Sequence, residues 1–206
     1  MRLALAIAFV AGSLAGAAAT MLPRVAAHLH ALFQGGAAAR ASDSVAVLAH
    51  TEKRFEFVAN APMNVVAPLF GAWKERDWAP GWDPKFVWPA TSEAAPASGE
   101  LDREGMVFTV KHGHTHAAWV NTAFDLSNGK IQYAYVVPDA MVTLITLRLT
   151  PEGERTRVHV EYDRTALDAD LNAHVEQMAA ADGKAGPEWE QQVNDCLKKT
   201  AALPHP

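Results

Sequence analysis

The sequence contains a single cysteine, Cys196, among its 206 residues. An intramolecular disulfide is therefore impossible, and so is a zinc site built from several cysteines. No run of lysine or arginine forms a basic stripe, and the formal net charge of −5 further disfavours a nucleic-acid partner. The sequence also lacks a glycine-rich phosphate loop, a Gly-x-Ser-x-Gly motif and a His-Glu-x-x-His motif. These absences remove the sequence signatures of nucleotide binding, serine hydrolysis and zinc proteolysis.

Charge is missing from the beginning of the chain as well. Residues 3–22, LALAIAFVAGSLAGAAATML, carry no charged side chain, and an apolar stretch of this length can span a bilayer as a helix. The small residues at 15–19 also fit a signal-peptide cleavage site. We therefore expect residues 1–22 to be a signal peptide or a membrane anchor, which makes the protein exported or membrane-anchored. If the start codon is misassigned, the protein is cytoplasmic instead.

Residues 23–50 have the composition of a flexible tether. PRVAAHLHALF can form a short helix, but QGGAAARASDS combines a Gly-Gly pair with small polar residues, which is typical of a linker. Regular patterns begin near Thr51. We therefore predict one folded domain over residues 51–206.

The domain begins with an alternating stretch and continues into helical and then β-type patterns. TEKRFEFVA predicts a strand, and Asn60-Ala61-Pro62 favours the start of the first of two short helices. WDPKFVWP then predicts a short strand. From residue 105 onward, short turns separate five further strands, which predicts an antiparallel meander. Those five are GMVFTVKHG, HAAWVNTAFDL, KIQYAYVV, MVTLITLRL and TRVHVEYD.

The end of the chain has a helical pattern. Leu167, Leu171, Val175 and Met178 recur at spacings of three and four, and the stripe resumes at Trp189. Gly and Pro residues at 183–187 predict a break or kink within one long helix. A curved sheet of this size can wrap that helix and bury both apolar faces.

The Asn128-Gly129 pair is the strongest hairpin signal in the chain. If it is a two-residue turn, the pairing register follows, and so does the face on which each side chain lies. The inward face then carries His116, Thr122, Phe124, Tyr133 and Tyr135, among others. The outward face carries Trp119 and Asn121. Asp163 and Arg164, after the last strand, are expected to be solvated.

Several of these stretches together resemble a known family. ERDWAPGWDPKFVWP, GMVFTV, WVNTAFDLSNGKIQYAYVVPD and TRVHVEYDRTAL look like the SRPBCC superfamily, which includes START-like and pollen-allergen-like proteins and a polyketide cyclase/dehydrase branch. The resemblance covers roughly residues 51–200. It implies an α+β helix-grip fold, with two short helices after the first strand and a curved antiparallel β-sheet wrapped around a long C-terminal helix.

The resemblance implies a hydrophobic cavity for a small apolar or amphipathic molecule. No nucleophile–base constellation is visible, which favours a non-catalytic carrier or sensor without a cofactor. Ligand contacts are expected from the inward residues and from the tryptophans of RDWAPGW. These candidates are Trp78, Trp82, His116, Thr122, Phe124, Tyr133 and Tyr135. The alternative is a polyketide cyclase- or dehydratase-like enzyme in which His116 acts with Tyr133 or Tyr135.

Three histidines, His112, His114 and His116, are spaced by two in KHGHTHAAW. On a continuous strand they would share a face, but Gly113 and Thr115 indicate a hairpin in which alternation fails. No Asp, Glu or Cys partner lies nearby, so we predict no metal site here. His116 alone is expected near the cavity mouth, where an imidazole can act in acid–base chemistry.

Overall fold

A computed structural model describes residues 47–89, 102–112 and 115–202. Seven strands form one antiparallel sheet in the spatial order β1-β7-β6-β5-β4-β3-β2. The strands are β1 (His50–Ala59), β2 (Lys85–Trp88), β3 (Val107–His112), β4 (Thr115–Asp125), β5 (Lys130–Val137), β6 (Met141–Glu152) and β7 (Arg155–Ala166).

The helices lie in two groups. The first follows β1 and contains α1 (Met63–Val66) and two 3₁₀ turns, Ala67–Phe70 and Lys74–Asp77. The second follows β7 and contains the 3₁₀ turn Ala169–Leu171, α2 (Asn172–Asp182) and α3 (Gly186–Ala201). The predicted helix-grip fold is confirmed, and the predicted break falls between α2 and α3.

The core lies between the concave face of the sheet and these helices. Burial alternates along β6 and β7, as expected for strands with one face on the core. Trp189 of α3 is the centre of an aromatic cluster, with ring centroids 5.3 Å from Phe55 and 6.3 Å from Phe57. Phe70 stacks on the same indole at 6.3 Å, so α3, β1 and the first helical group share one core.

Two asparagines fix the C-terminal helices to the backbone of β1 and its flanks. Asn172 accepts from the amide of Ala49 at 2.7 Å and donates to the carbonyl of Val47 at 2.9 Å. At the other end of the strand, Asn194 accepts from the amide of Asn60 at 2.7 Å and donates to the carbonyl of Val58 at 3.0 Å. A two-bond carboxamide bridge therefore joins α2 to the segment before β1 and α3 to the end of β1.

The predicted register of the β4–β5 hairpin is wrong. The loop spans four residues, because Asp125 pairs with Lys130 and its carboxylate accepts hydrogen bonds from Ser127 and Asn128. The pairing then shifts between Asn121 and Ala123. A bulge of this kind reverses the faces of every residue beyond it.

Because of that bulge, two of the predicted inward residues face away from the core. His116 and Thr122 are exposed, and the Thr122 hydroxyl donates to Gln132 at 2.9 Å. Trp119 and Asn121, which were expected outside, are buried on the concave face. Phe124, on the loop side of the bulge, packs against the core as predicted.

The predicted signal or anchor at 1–22 and nearly all of the predicted tether at 23–50 lie outside the described residues. Within the described ranges, no helix is long and apolar enough to cross a membrane.

Candidate functional site

Two groups of polar side chains lie among the apolar residues of the interior. The first, which we call the Arg164 cluster, consists of Tyr135, Met141, Thr143, Arg164 and Asp182. The second, the Tyr133 cluster, consists of Glu75, Asp102, Trp119, Asn121 and Tyr133. They differ in one respect that decides their roles: most polar atoms of the first group have partners, whereas several of the second do not.

The Arg164 cluster is a structural tie between the sheet and α2. The Arg164 side chain is 0% exposed, and it donates to Asp182 at 2.7 Å, to Thr143 at 3.0 Å and to the Tyr135 hydroxyl. Burial alone lowers the pKa of Arg164, but Tyr135 and Asp182 raise it overall, so the guanidinium stays charged. The expectation that Arg164 is solvated is wrong, because β7 continues through it to Ala166.

The Tyr133 cluster contains buried polar atoms without hydrogen-bond partners in the described part of the chain. They are the Trp119 Nε1, the Tyr133 hydroxyl, both side-chain atoms of Asn121 and Oδ2 of Asp102. Asn121 is 0% and Tyr133 4% exposed, so bulk water does not satisfy them. Unsatisfied groups of this kind usually mark a bound water or ligand.

The strands of the sheet and the chain after α1 bring these residues together. Asn121 pairs with Tyr133 across β4 and β5, and Trp119 stacks on Tyr135 with ring centroids 4.4 Å apart. From the other side, the amide of Trp73 donates to Asp102 at 3.2 Å.

Glycine is required where the Asp102 carboxylate meets the first helical group. A Cβ at Gly71 would overlap that carboxylate, so only glycine admits it there. The Gly71 carbonyl in turn accepts from the amide of Glu75 at 2.8 Å. One turn of chain therefore places both carboxyl groups at the interior.

Burial in the Tyr133 cluster disfavours the negatively charged forms of its carboxyl and phenol groups. Burial, and then the charge of Asp102, raise the pKa of Glu75 well above its usual value. Burial also raises the pKa of Asp102 to about 6, although the amides of Trp73 and Ala72 act in the opposite direction. Burial and both carboxylates raise the pKa of Tyr133, so its phenol stays neutral.

The raised pKa of Asp102 predicts a contribution to the free energy of unfolding that is present at low pH and is lost as pH rises. Because folding raises the pKa of Asp102 from 3.8 to about 6, the folded state binds more protons between those values. We expect Asp102→Asn, which keeps an acceptor for Trp73, to raise the free energy of unfolding at pH 7 by about 1–3 kcal/mol. The difference in free energy of unfolding between the variant and the wild type should vanish near pH 3.5. Urea unfolding between about pH 3.5 and pH 7 measures it. Glu176→Gln, on the exposed face of α2, is the control and should leave the pH profile unchanged. A wild-type stability that rises with pH from 4 to 6, with the same slope in the Asp102 variant, would contradict the assignment.

Trp78 and Trp82 both point into the interior from the loop after the 3₁₀ turns. The Trp78 indole donates to the carbonyl of Leu69 at 2.7 Å, and that of Trp82 to the carbonyl of Ala72 at 2.8 Å. Trp78 packs on Trp189 at 5.2 Å, in the aromatic cluster beneath α3. Trp82 is perpendicular to Trp119 at 5.3 Å, at the edge of the Tyr133 cluster.

The structure thus divides the predicted ligand-contacting residues into groups. Tyr133 and Trp82 lie together at the Tyr133 cluster, Tyr135 belongs to the Arg164 cluster, and Trp78 belongs to the aromatic core. The exposure of His116 removes the ground for the acid–base role predicted for it. The side chains of His112 and His114 lie outside the described residues, and no group of three or more potential metal ligands is found among those described.

Sequence reasoning missed Glu75 and Asp102. Both stand in stretches without hydrophobic periodicity, and charged side chains there are normally solvated. The one available signal was the tryptophan-rich segment 73–88, which holds four of the six tryptophans and indicates a buried surface near Glu75.

No protein-family model matches the sequence, and no curated protein sequence matches it at a significant level. Solved structures do share its fold. Norcoclaurine synthase from Thalictrum flavum, in complex with dopamine and hydroxybenzaldehyde, has a TM-score of 0.53 at 8% identity, covering 84% of this chain and 99% of that one. An uncharacterized protein from Rhizobium leguminosarum has a TM-score of 0.51 at 14% identity, covering 74% of this chain and 97% of that one.

The di-domain ARO/CYC protein BexL, from the BE-7585A biosynthetic pathway, has a TM-score of 0.53 at 12% identity. The match covers 74% of this chain and 48% of BexL, so this chain corresponds to about half of that protein. At these identities the comparisons establish the fold, and the chemistry has to be argued from the residues of the site.

Proposed function

We propose that this helix-grip protein is a non-catalytic carrier or sensor of a small molecule that combines an aromatic or apolar body with a hydrogen-bonding group. The observation that carries the proposal is the set of unpartnered buried polar atoms at the Tyr133 cluster. In a protein interior such atoms cost about 1–3 kcal/mol each, and a ligand that pairs with them recovers that cost.

The surroundings of the Tyr133 cluster suit an aromatic ligand body. Trp119 is 6.2 Å from Tyr133 and 5.3 Å from Trp82, and the ring pairs are close to perpendicular. Rigid aromatic surfaces bind flat apolar molecules at little cost in side-chain entropy. The solved relative norcoclaurine synthase holds dopamine and hydroxybenzaldehyde, which are small aromatic molecules with polar substituents. Export or membrane anchoring through residues 1–22 is part of the same proposal.

The two inward tyrosines of β5 provide a matched test. Tyr133→Phe removes a hydroxyl without a partner, so we expect unchanged or slightly higher thermal stability together with weaker ligand binding. Tyr135→Phe removes a hydroxyl that Arg164 holds, so we expect a loss of about 1–3 kcal/mol in stability. Thermal unfolding measures the stability of each variant. Calorimetric titration with 2-naphthol and native mass spectrometry of co-purified molecules measure ligand binding.

The opposite result would overturn this assignment. If Tyr133→Phe destabilises the ligand-free protein as much as Tyr135→Phe does, the Tyr133 hydroxyl has a structural partner and is not free for a ligand. If neither 2-naphthol nor any co-purified molecule binds the wild type, the carrier proposal fails.

A cyclase-type enzyme is the second candidate, and it now depends on different residues from those that the sequence suggested. The pKa of Asp102, about 6, suits a group that gives and takes protons near neutrality, whereas His116 is exposed. Turnover of an aromatic polyketide by the wild type and its loss in Asp102→Asn, with binding retained, would establish this function in place of the first.

A further inference from the structure

The carboxyl groups of Glu75 and Asp102 lie in one buried region, and the charges of Arg76 and Lys74 act on Asp102 without forming an ion pair with it. Glu75 is 8% exposed, and neither carboxyl forms an ion pair within the described part of the chain. Carboxylates are seldom buried in this way unless they are paired. A cation bound beside the pair would favour the charged forms of both carboxyl groups, against the burial that raises their pKa values.

The two basic side chains whose charges act on Asp102 make their direct contacts elsewhere. The Lys74 ammonium contacts Asp77 at 3.5 Å on the exposed side of the 3₁₀ turn. The Arg76 guanidinium lies 4.1 Å from the centre of the Trp73 ring, and it donates to the carbonyl of Pro84 at 3.4 Å. Both cations therefore have their direct contacts elsewhere; their charges lower the pKa of Asp102, but neither pairs with a carboxyl group of the cluster.

Aromatic rings adjoin the carboxyl pair. The Tyr133 phenol experiences the charge of both carboxylates, and its ring is 6.2 Å from Trp119. Trp82 donates to the carbonyl of Ala72, and the amide of the next residue, Trp73, bonds the Asp102 carboxylate. Aromatic faces next to carboxylates attract organic cations through both the ring quadrupole and the charge. Unpartnered side chains more than nine-tenths buried, Asn121 and Tyr133, face the same region.

We propose that the ligand of the Tyr133 cluster carries a protonated amine, with its ammonium group at Glu75 and Asp102 and its aromatic body against Trp119 and Tyr133. This inference rests on the carrier function proposed above and adds the chemical class of the ligand. A metal ion fits less well, because no group of three or more potential metal ligands is found among the described residues, whereas the aromatic rings suit an organic cation. An anion is repelled by the same pair.

A matched pair of probes tests the charge directly. 2-Phenylethylamine and 2-phenylethanol have nearly the same shape, and only the amine is protonated at pH 7. In calorimetric titrations of the full chain, we expect the amine to bind about 10–100-fold more tightly than the alcohol, as hydrogen bonds to charged groups are worth about 1.5–3 kcal/mol.

The variants Glu75→Gln and Asp102→Asn keep the size of each side chain and remove the charge. We expect each to weaken amine binding by about 10-fold or more and to change alcohol binding by less than about 3-fold. Glu176→Gln on α2 is the control and should leave both affinities unchanged. Thermal unfolding of each variant verifies that it is folded, and both variants are expected to be at least as stable as the wild type.

The outcomes separate this inference from the carrier function. Equal binding of amine and alcohol, insensitive to both substitutions, overturns the amine inference and leaves the carrier function standing. A co-purified molecule without a basic nitrogen does the same. Failure of both probes, with no co-purified molecule in native mass spectrometry, contradicts the carrier function and the amine inference together.

Discussion

Replacing Arg164 with methionine is expected to lower the free energy of unfolding by about 3–5 kcal/mol. The change leaves the Asp182 carboxylate buried without its cation, and it removes the donor of the hydrogen bonds to Thr143 and Tyr135. Because Asp182 is the last residue of α2, the same loss should loosen that helix from the sheet. Urea unfolding followed by circular dichroism measures the stability.

The reverse truncation and a double change show whether the pair acts as a unit. Asp182→Asn leaves the buried guanidinium without its counter-ion and should lower the free energy of unfolding by a similar amount. The double change Arg164→Met with Asp182→Leu should lower it by less than either single change. As a control, Arg54→Met removes an exposed ion pair with Glu161 and should change stability by less than about 1 kcal/mol. If single changes at Arg164 or Asp182 lower the free energy of unfolding by less than about 1 kcal/mol, the ion pair does not hold α2 against the sheet.

Replacing Trp78 with alanine is expected to cost about 3–5 kcal/mol of stability. The side chain is 5% exposed, its ring lies 5.8 Å from Phe70, and its Nε1 donates to Leu69 at 2.7 Å. Alanine leaves a void beside Phe70 and Trp189 and a backbone carbonyl without its donor. Trp78→Phe keeps most of the packing and should cost roughly 1–2 kcal/mol.

Trp88 supplies the matched control from the same tryptophan-rich segment. It is 52% exposed at the edge strand β2, so Trp88→Ala should change stability by less than about 1 kcal/mol. Circular dichroism is the suitable readout, since removal of an indole alters fluorescence directly. Similar losses for Trp78 and Trp88 would contradict the division of this segment into a core part and a surface part.

The fold was accessible from the sequence because it depends on the order of elements and on period-two alternation. The sequence did not predict in the same way which side chains of β4 point to the core. THAAWVNTAFD has apolar residues on both faces, Ala118 and Val120 on one and Ala117 and Trp119 on the other, so alternation does not choose between them. The bulge near Thr122 makes that choice, and it follows from pairing with β5.

The residues of the candidate site escaped prediction for a different reason. Arg164 is stable in the core only because Asp182 and Tyr135 meet it there. Asp102 is inward because Gly71 admits its carboxylate. Each of these placements depends on a partner distant in sequence, and sequence patterns report only on neighbours. Tyr133, by contrast, follows the simple alternation of β5, and its inward direction was predicted correctly.

The carboxamide bridges of Asn172 and Asn194 also bear on self-association. β1 is an edge strand, and edge strands present free backbone donors and acceptors to which a second chain can add. Asn194 occupies the carbonyl of Val58 in β1 and the amide of Asn60 just beyond it, as a neighbouring strand would, whereas the partners of Asn172 precede the strand. We therefore expect α3 to protect this end of β1 from the addition of a second chain, and detachment of α3 to expose it.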